Sequence, residues 1–97
     1  MGGHLEIIAE RRLIAKSRNG EERATLNIRI FGAELDEQLS CSRSIIQFSG
    51  IFTETHAIAG VDSIDCLRLA IKFIDQHLTD LAKEYELRWD DDSHYDN

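Results

Sequence analysis

The residues with the most chemical character lie at the C-terminal end of the chain. Glu84, Glu86, Asp90, Asp91, Asp92 and Asp96 are interleaved with Tyr85, Trp89 and Tyr95. That mixture suits contact with a basic macromolecule. Aromatic rings serve as buried anchors, while carboxylates steer the approach of a partner and pair with its lysines and arginines. A charged run on its own is usually a solvated tail, and it is the Trp and the two Tyr that favour a binding surface. The same carboxylates, with His94, have the chemistry to ligate a hard cation. An EF-hand loop, however, requires a central Gly and a terminal Glu at fixed offsets, and neither is there.

Catalysis has little to work with. The chain contains no GxSxG elbow, P-loop, GxGxxG or HExxH motif. His56 falls in a strand-like segment, His77 on a helix flank, and His4 and His94 near the two ends. Cys66 with His56 or His77 is the one nucleophile–base pairing worth naming, and a cysteine at a helix start more often belongs to the core. A non-enzymatic chain without cofactor or dedicated metal is the expectation. Arg23 and Arg29, with Arg11, Arg12, Lys16 and Arg18 near them in sequence, have the chemistry to meet phosphate. Sheet-based binders of single-stranded RNA add exposed aromatics, and none stands among Arg23, Thr25, Asn27 and Arg29. A solvated face cross-paired with Glu6, Glu10 and Glu22 is favoured, with no direct contact to nucleic acid.

These residues must be positioned by a strand-rich first half and a helical second half. Residues 5–15 read as a first strand, followed by Ser17-Arg18-Asn19-Gly20, whose Asn-Gly pair is a strong hairpin signal. Beyond it Ala24, Leu26, Ile28 and Ile30 alternate with Arg23, Thr25, Asn27 and Arg29, the pattern of an antiparallel strand with one buried face. Polar residues 32–38 suggest a loop, and residues 41–48 and 51–58 suggest two further strands around Ser49-Gly50. Ile64, Leu67, Ile71, Ile74, Leu78, Leu81 and Tyr85 then recur at helical spacing. Gly60 breaks the preceding strand, and Asp62 or Ser63 can cap the helix. Lys83 and Arg88 stand near its other end. The pattern predicts a helix over about 62–86, roughly 37 Å long, with Ala70 and Ala82 allowing close approach to the sheet. Residues 90–97 lack a pattern that would bury them and read as an acidic tail, flexible when unbound. The heptad spacing also fits a coiled coil, and a homodimer through the helix edge or an exposed strand stays open.

Length and composition bound the rest. At 97 residues, 42% hydrophobic and 30% charged, the chain is one globular domain over residues 1–89 with that tail appended. Of the net charge of −7, residues 60–97 carry −6, from ten acids and four bases. Such a pole repels nucleic acid and attracts basic partners, although acidity also serves solubility alone. Cys41 and Cys66 form no CxxC pair and read as small apolar residues in a reducing compartment. No apolar run reaches the roughly 18 residues of a membrane span. The N-terminus has no signal-peptide pattern, and Glu6 stands where a myristoylation motif wants Ser or Thr. A soluble, cytoplasmic chain is expected.

The stretch Ala59-Gly60-Val61-Asp62-Ser63-Ile64-Asp65-Cys66-Leu67-Arg68-Leu69-Ala70-Ile71-Lys72-Phe73-Ile74 resembles the signature of a bacterial domain-of-unknown-function family. That family consists of small proteins whose strands precede a long helix opening on Gly-Val-Asp-Ser. The resemblance implies a fold and no activity. In size, acidity and lack of catalytic motif the chain is also similar to immunity proteins of bacterial toxin systems, including contact-dependent growth inhibition. The similarity implies a protein that covers the active site of a nuclease toxin with acidic and aromatic side chains. The expectation is therefore an α+β fold, an antiparallel sheet of about four strands in two hairpins, covered on one face by one long C-terminal helix. The expected function is an immunity protein that blocks a basic toxin domain, an RNase or DNase, through Glu84, Glu86, Trp89, Asp90, Asp91, Asp92 and Tyr95. The alternative is a self-associating structural or regulatory protein with no toxin partner.

Overall fold

Leu13 and Ala15 alternate with Ile14 and Lys16, and Leu26 and Ile28 alternate with Asn27 and Arg29, so two strands can share one apolar face. In the computed structural model, which describes residues 6–20, 22–36, 41–91 and 93–95, they form an antiparallel hairpin. β1 (Ile7–Ser17) pairs with β2 (Arg23–Asp36), Leu13 opposite Leu26 and Ala15 opposite Ala24. The Ser17 amide closes the connection on the Glu22 carbonyl at 2.9 Å. The polar stretch from Gly32, expected as a loop, instead extends β2 to Asp36 past a register irregularity between Phe31 and Glu34. Pairing with β3 (Cys41–Gly50) supplies the backbone partners that carry the strand on. Glu37 and Gln38, the rest of that expected loop, lie outside the described residues.

The turn out of β3 depends on Gly50. Its φ is +111°, and a Cβ there would stand 1.8 Å from the Thr25 carbonyl oxygen, so no side chain fits. β4 (Glu54–Gly60) therefore starts later than expected, and Ile51 and Phe52 pack against the core from the bend. Gly60 is required for another reason. A Cβ on it would fall 2.5 Å from the Cys66 nitrogen, because the chain turns directly from β4 into α1 (Ser63–Leu81). Asp62 caps the helix, its carboxylate accepting from the Asp65 amide at 2.7 Å, and Asp65 accepts in return from the Val61 amide at 3.1 Å.

The helix lies over β4, β3 and β2. It buries Cys66, Ala70, Ile74 and Leu78, with Ala70 permitting the close approach its size suggests. The inward line thus runs at steps of four, rotated from the heptad line read in the sequence. Ile64 and Ile71, both on that heptad line, are 78% and 53% exposed.

At its C-terminal end the helix departs further from expectation, ending at Leu81 rather than near residue 86. The Arg18 guanidinium, reaching across from the first hairpin, donates to the Ala82 carbonyl from Nε (3.0 Å) and a terminal nitrogen (2.9 Å). It satisfies a carbonyl at the helix end, where the sequence placed Lys83 and Arg88 only as nearby cations. The chain then reverses into β5 (Tyr85–Trp89), antiparallel to β1, with Tyr85 opposite Ser17, Leu87 opposite Ala15 and Trp89 opposite Leu13. Among the described residues the sheet has five strands in the order β4-β3-β2-β1-β5, one more than expected, still α+β with one helix on one face. Tyr85, Leu87 and Trp89 share a strand face at period two, and the free edge of β1 offers β5 its hydrogen bonds.

The stretch expected as a flexible tail also contains bonded chain. Residues 93–95 return along β5, the Trp89 amide donating to the Ser93 carbonyl at 2.8 Å and the Tyr95 amide to the Leu87 carbonyl at 3.1 Å. Tyr95 is 8% exposed and belongs to the core with Leu13, Leu87 and Phe48. On the sheet face away from α1, the expected cross-strand pairing with Glu10 is present. Arg29 bonds Glu10 at 2.5 Å, and Arg12 donates to Asn27 at 3.1 Å. Among the described residues, no helix is long and apolar enough to cross a membrane.

Candidate functional site

Because α1 lies over β2, β3 and β4, the β1–β5 side of the same sheet face is left to side chains from the strands themselves. Arg11 shares the parity of Leu13 and Ala15 and so emerges on that side, opposite Ile28. Its guanidinium donates to the Tyr95 hydroxyl at 2.8 Å and lies 5.5 Å from the ring centroids of both Trp89 and Tyr95. The two rings meet edge to face, 5.0 Å apart at 73°. Cation–π attraction and the quadrupole preference of the ring pair both favour this arrangement. The result is a fixed platform on which Trp89, 37% exposed, is the accessible surface and Tyr95 the buried support.

Asp90 and Asp91 follow directly and are exposed. The Ser93 hydroxyl donates to Asp91 Oδ1 at 2.6 Å and the Ser93 amide to the same atom at 2.9 Å. These bonds, the hydroxyl's foremost, hold the Asp91 carboxyl below its ordinary pKa. On the other side of Arg11 an open cleft of about 210 Å³ separates β1 from α1. Its walls are Ala9, Ile28 and Ile30 from the sheet and Ile71 and Ile74 from the helix, with Asp75 at the margin. Arg11 belongs to both features and joins them. An apolar recess, an anchored Trp and flanking carboxylates can together seat a protein segment that carries both apolar and basic side chains.

The seven residues picked from the sequence do not make one surface. Trp89, Asp90 and Asp91 come together, with Tyr95 beneath them. Glu84 lies at the opposite end of β5, its carbonyl accepting from the Arg18 amide at 3.3 Å, and six extended residues from Asp90 span about 20 Å. Glu86 stands opposite Lys16 on the other sheet face and pairs with Arg88 at 2.7 Å. Asp92 lies outside the described residues. Strand formation separates what a helix followed by a tail would have kept together. The cleft was missed, and Arg11 was grouped with the basic strand residues, although a charged residue in step with Leu13 and Ala15 is itself a signal for its inward position.

The Cys66 thiol is buried and donates to the Ile58 carbonyl at 3.2 Å. His56 and His77 converge with Glu54 rather than in a group containing Cys66. Comparison with family models, with curated proteins and with solved structures returns no match for this chain.

Proposed function

We propose that this chain is a binding protein that seats a basic protein domain on the Trp89 platform, with Asp90 and Asp91 steering the approach. Its biological role in this reading is that of an immunity protein, occluding the phosphate-binding cleft of a nuclease toxin. The supporting observation is the Trp89–Arg11–Tyr95 cluster. It presents a Trp already immobilised by a cation and a second ring, with carboxylates at its edge. An anchor fixed before binding loses little conformational freedom when the partner arrives. A cleft that holds nucleic acid is lined by cations, for which acidic side chains compete. Bait carrying the wild-type chain, beside bait carrying Trp89→Ala, tests the reading in lysate of the source organism. The wild type is expected to retain a stoichiometric basic protein whose nuclease activity the chain suppresses, and Trp89→Ala to lose it on washing. Capture indifferent to Trp89, or a captured protein without suppressible nuclease activity, would overturn the role.

A second reading, self-association, draws on a different observation. Val61 (79% exposed), just before α1, and Ile64, in its first turn, leave large apolar side chains exposed at the start of the helix. Light scattering of the chain alone separates the two, a monomer supporting partner binding and a concentration-dependent dimer supporting self-association.

A further inference from the structure

Glu54 and His56 are two residues apart in β4 and so leave the strand on the same side. That side faces α1, with His56 opposite the buried Ile46. From the helix, His77 arrives beside the buried Leu78. One potential ligand atom from each of Glu54, His56 and His77 lies within 4.8 Å of the other two, and Glu54 Oε1 is 2.8 Å from His56 Nε2. Aromatic packing fixes the rings. His77 stacks on Phe48 (centroids 5.1 Å apart at 20°), and Phe73 lies 4.4 Å from His77 and 4.7 Å from His56. Both imidazoles are half-buried, while Glu54 is exposed on the edge strand.

We infer that Glu54, His56 and His77 form a binding site for a divalent transition-metal ion of the zinc class. Two imidazole nitrogens with one carboxylate oxygen are a donor set that such borderline cations prefer. Zinc–ligand bonds of about 2.0–2.2 Å place neighbouring donor atoms about 3.3–3.5 Å apart in a tetrahedral site. The Glu54 to His56 contact is already inside that spacing, and the ion replaces the proton the two groups share. The widest separation closes by rotation of terminal side-chain torsions, which are soft for carboxylate and imidazole alike. The surrounding Phe rings orient the imidazoles and exclude water from one side, and the exposed side leaves a position for solvent. An ordinary ion pair accounts for Glu54 and His56 but not for His77, held with its ring 5.5 Å from His56.

Calorimetric titration of the chelator-treated full chain with zinc, and visible spectra on titration with cobalt(II), test the site at pH 7.5. One ion per chain is expected, with nitrogen-ligated cobalt bands. Affinity should fall at least about 10-fold in both Glu54→Gln and His77→Gln. It should also weaken as pH falls, because protons compete with the ion for its ligands. Zinc should raise the melting temperature of the wild type and not of either variant. Glu54 is exposed, so Glu54→Gln remains informative if His77→Gln fails to fold. The double variant His4→Gln/His94→Gln should bind as the wild type does. No saturable binding, binding undiminished by Glu54→Gln, or binding lost with His4 and His94 would each overturn the site.

Discussion

Tyr95 is held by its amide on Leu87, by its hydroxyl on Arg11 and by burial of its ring. Tyr95→Phe removes the hydroxyl and its bond from Arg11, so urea denaturation should show a loss of about 1 kcal/mol. A loss near zero would mean that Arg11 finds another partner at no cost. Asp91 makes the neighbouring prediction. Its folded pKa lies below its ordinary value because of Ser93, so its contribution to stability is present above the unfolded pKa of about 3.9 and is lost as pH falls through the folded value. Ser93→Ala deletes the larger cause and keeps the amide. The Asp91 carboxyl should then titrate closer to the ordinary range in an NMR pH series, and an unchanged midpoint would refute the assignment. At this scale the sequence was informative about Trp89, Asp90 and Asp91, whose types announce a surface. It offered Arg11 and His77 in other roles, because what each meets depends on which face its element turns inward.

The same difference between pattern and packing governs the elements. The first hairpin was readable because apolar and polar residues alternate strictly from Ala24 to Ile30 and half the strand is buried. The cap of α1 was readable because Asp62 and Asp65 stand at capping spacing. Its C-terminal end was not, since Leu81 and Tyr85 continue the four-residue step while Tyr85, Leu87 and Trp89 equally obey a two-residue step. What decides between them is remote in sequence: the vacant edge of β1 and the Arg18 bonds to Ala82. Arg18→Ala should therefore loosen the junction of α1 and β5 together. Expected are faster amide exchange at residues 82–88 and a stability loss of about 1 kcal/mol. Exchange unchanged at β5 would show that strand pairing alone ends the helix.

Across the whole molecule the charge is sorted by face. Register places Arg12, Lys16, Arg23, Arg29, Arg43 and Arg88 on the sheet surface away from α1, with Glu10 and Glu86 among them. Asp75 lines the cleft on the α1 side, and Asp90 follows Trp89 in an exposed turn. A net charge of −7 acts at long range, but beyond a Debye length of about 8 Å at physiological salt only the nearest charges guide docking. The acidic rim beside Trp89 thus matters more than the total. Deleting the C-terminal residues is a poor test of that rim, because it also takes Tyr95 out of the core. Asp90→Asn/Asp91→Asn is the cleaner change. Both residues are exposed, and an Asn at 91 still offers an amide oxygen to the Ser93 amide and hydroxyl, so folding stability should stay within about 0.5 kcal/mol of wild type. Association with a basic partner should slow, and its dependence on salt should flatten, while dissociation changes little. Stopped-flow kinetics over a range of ionic strengths measures all three. A double variant that binds as fast as wild type at low salt would remove Asp90 and Asp91 from the interface and move the search to the other faces of the sheet and helix.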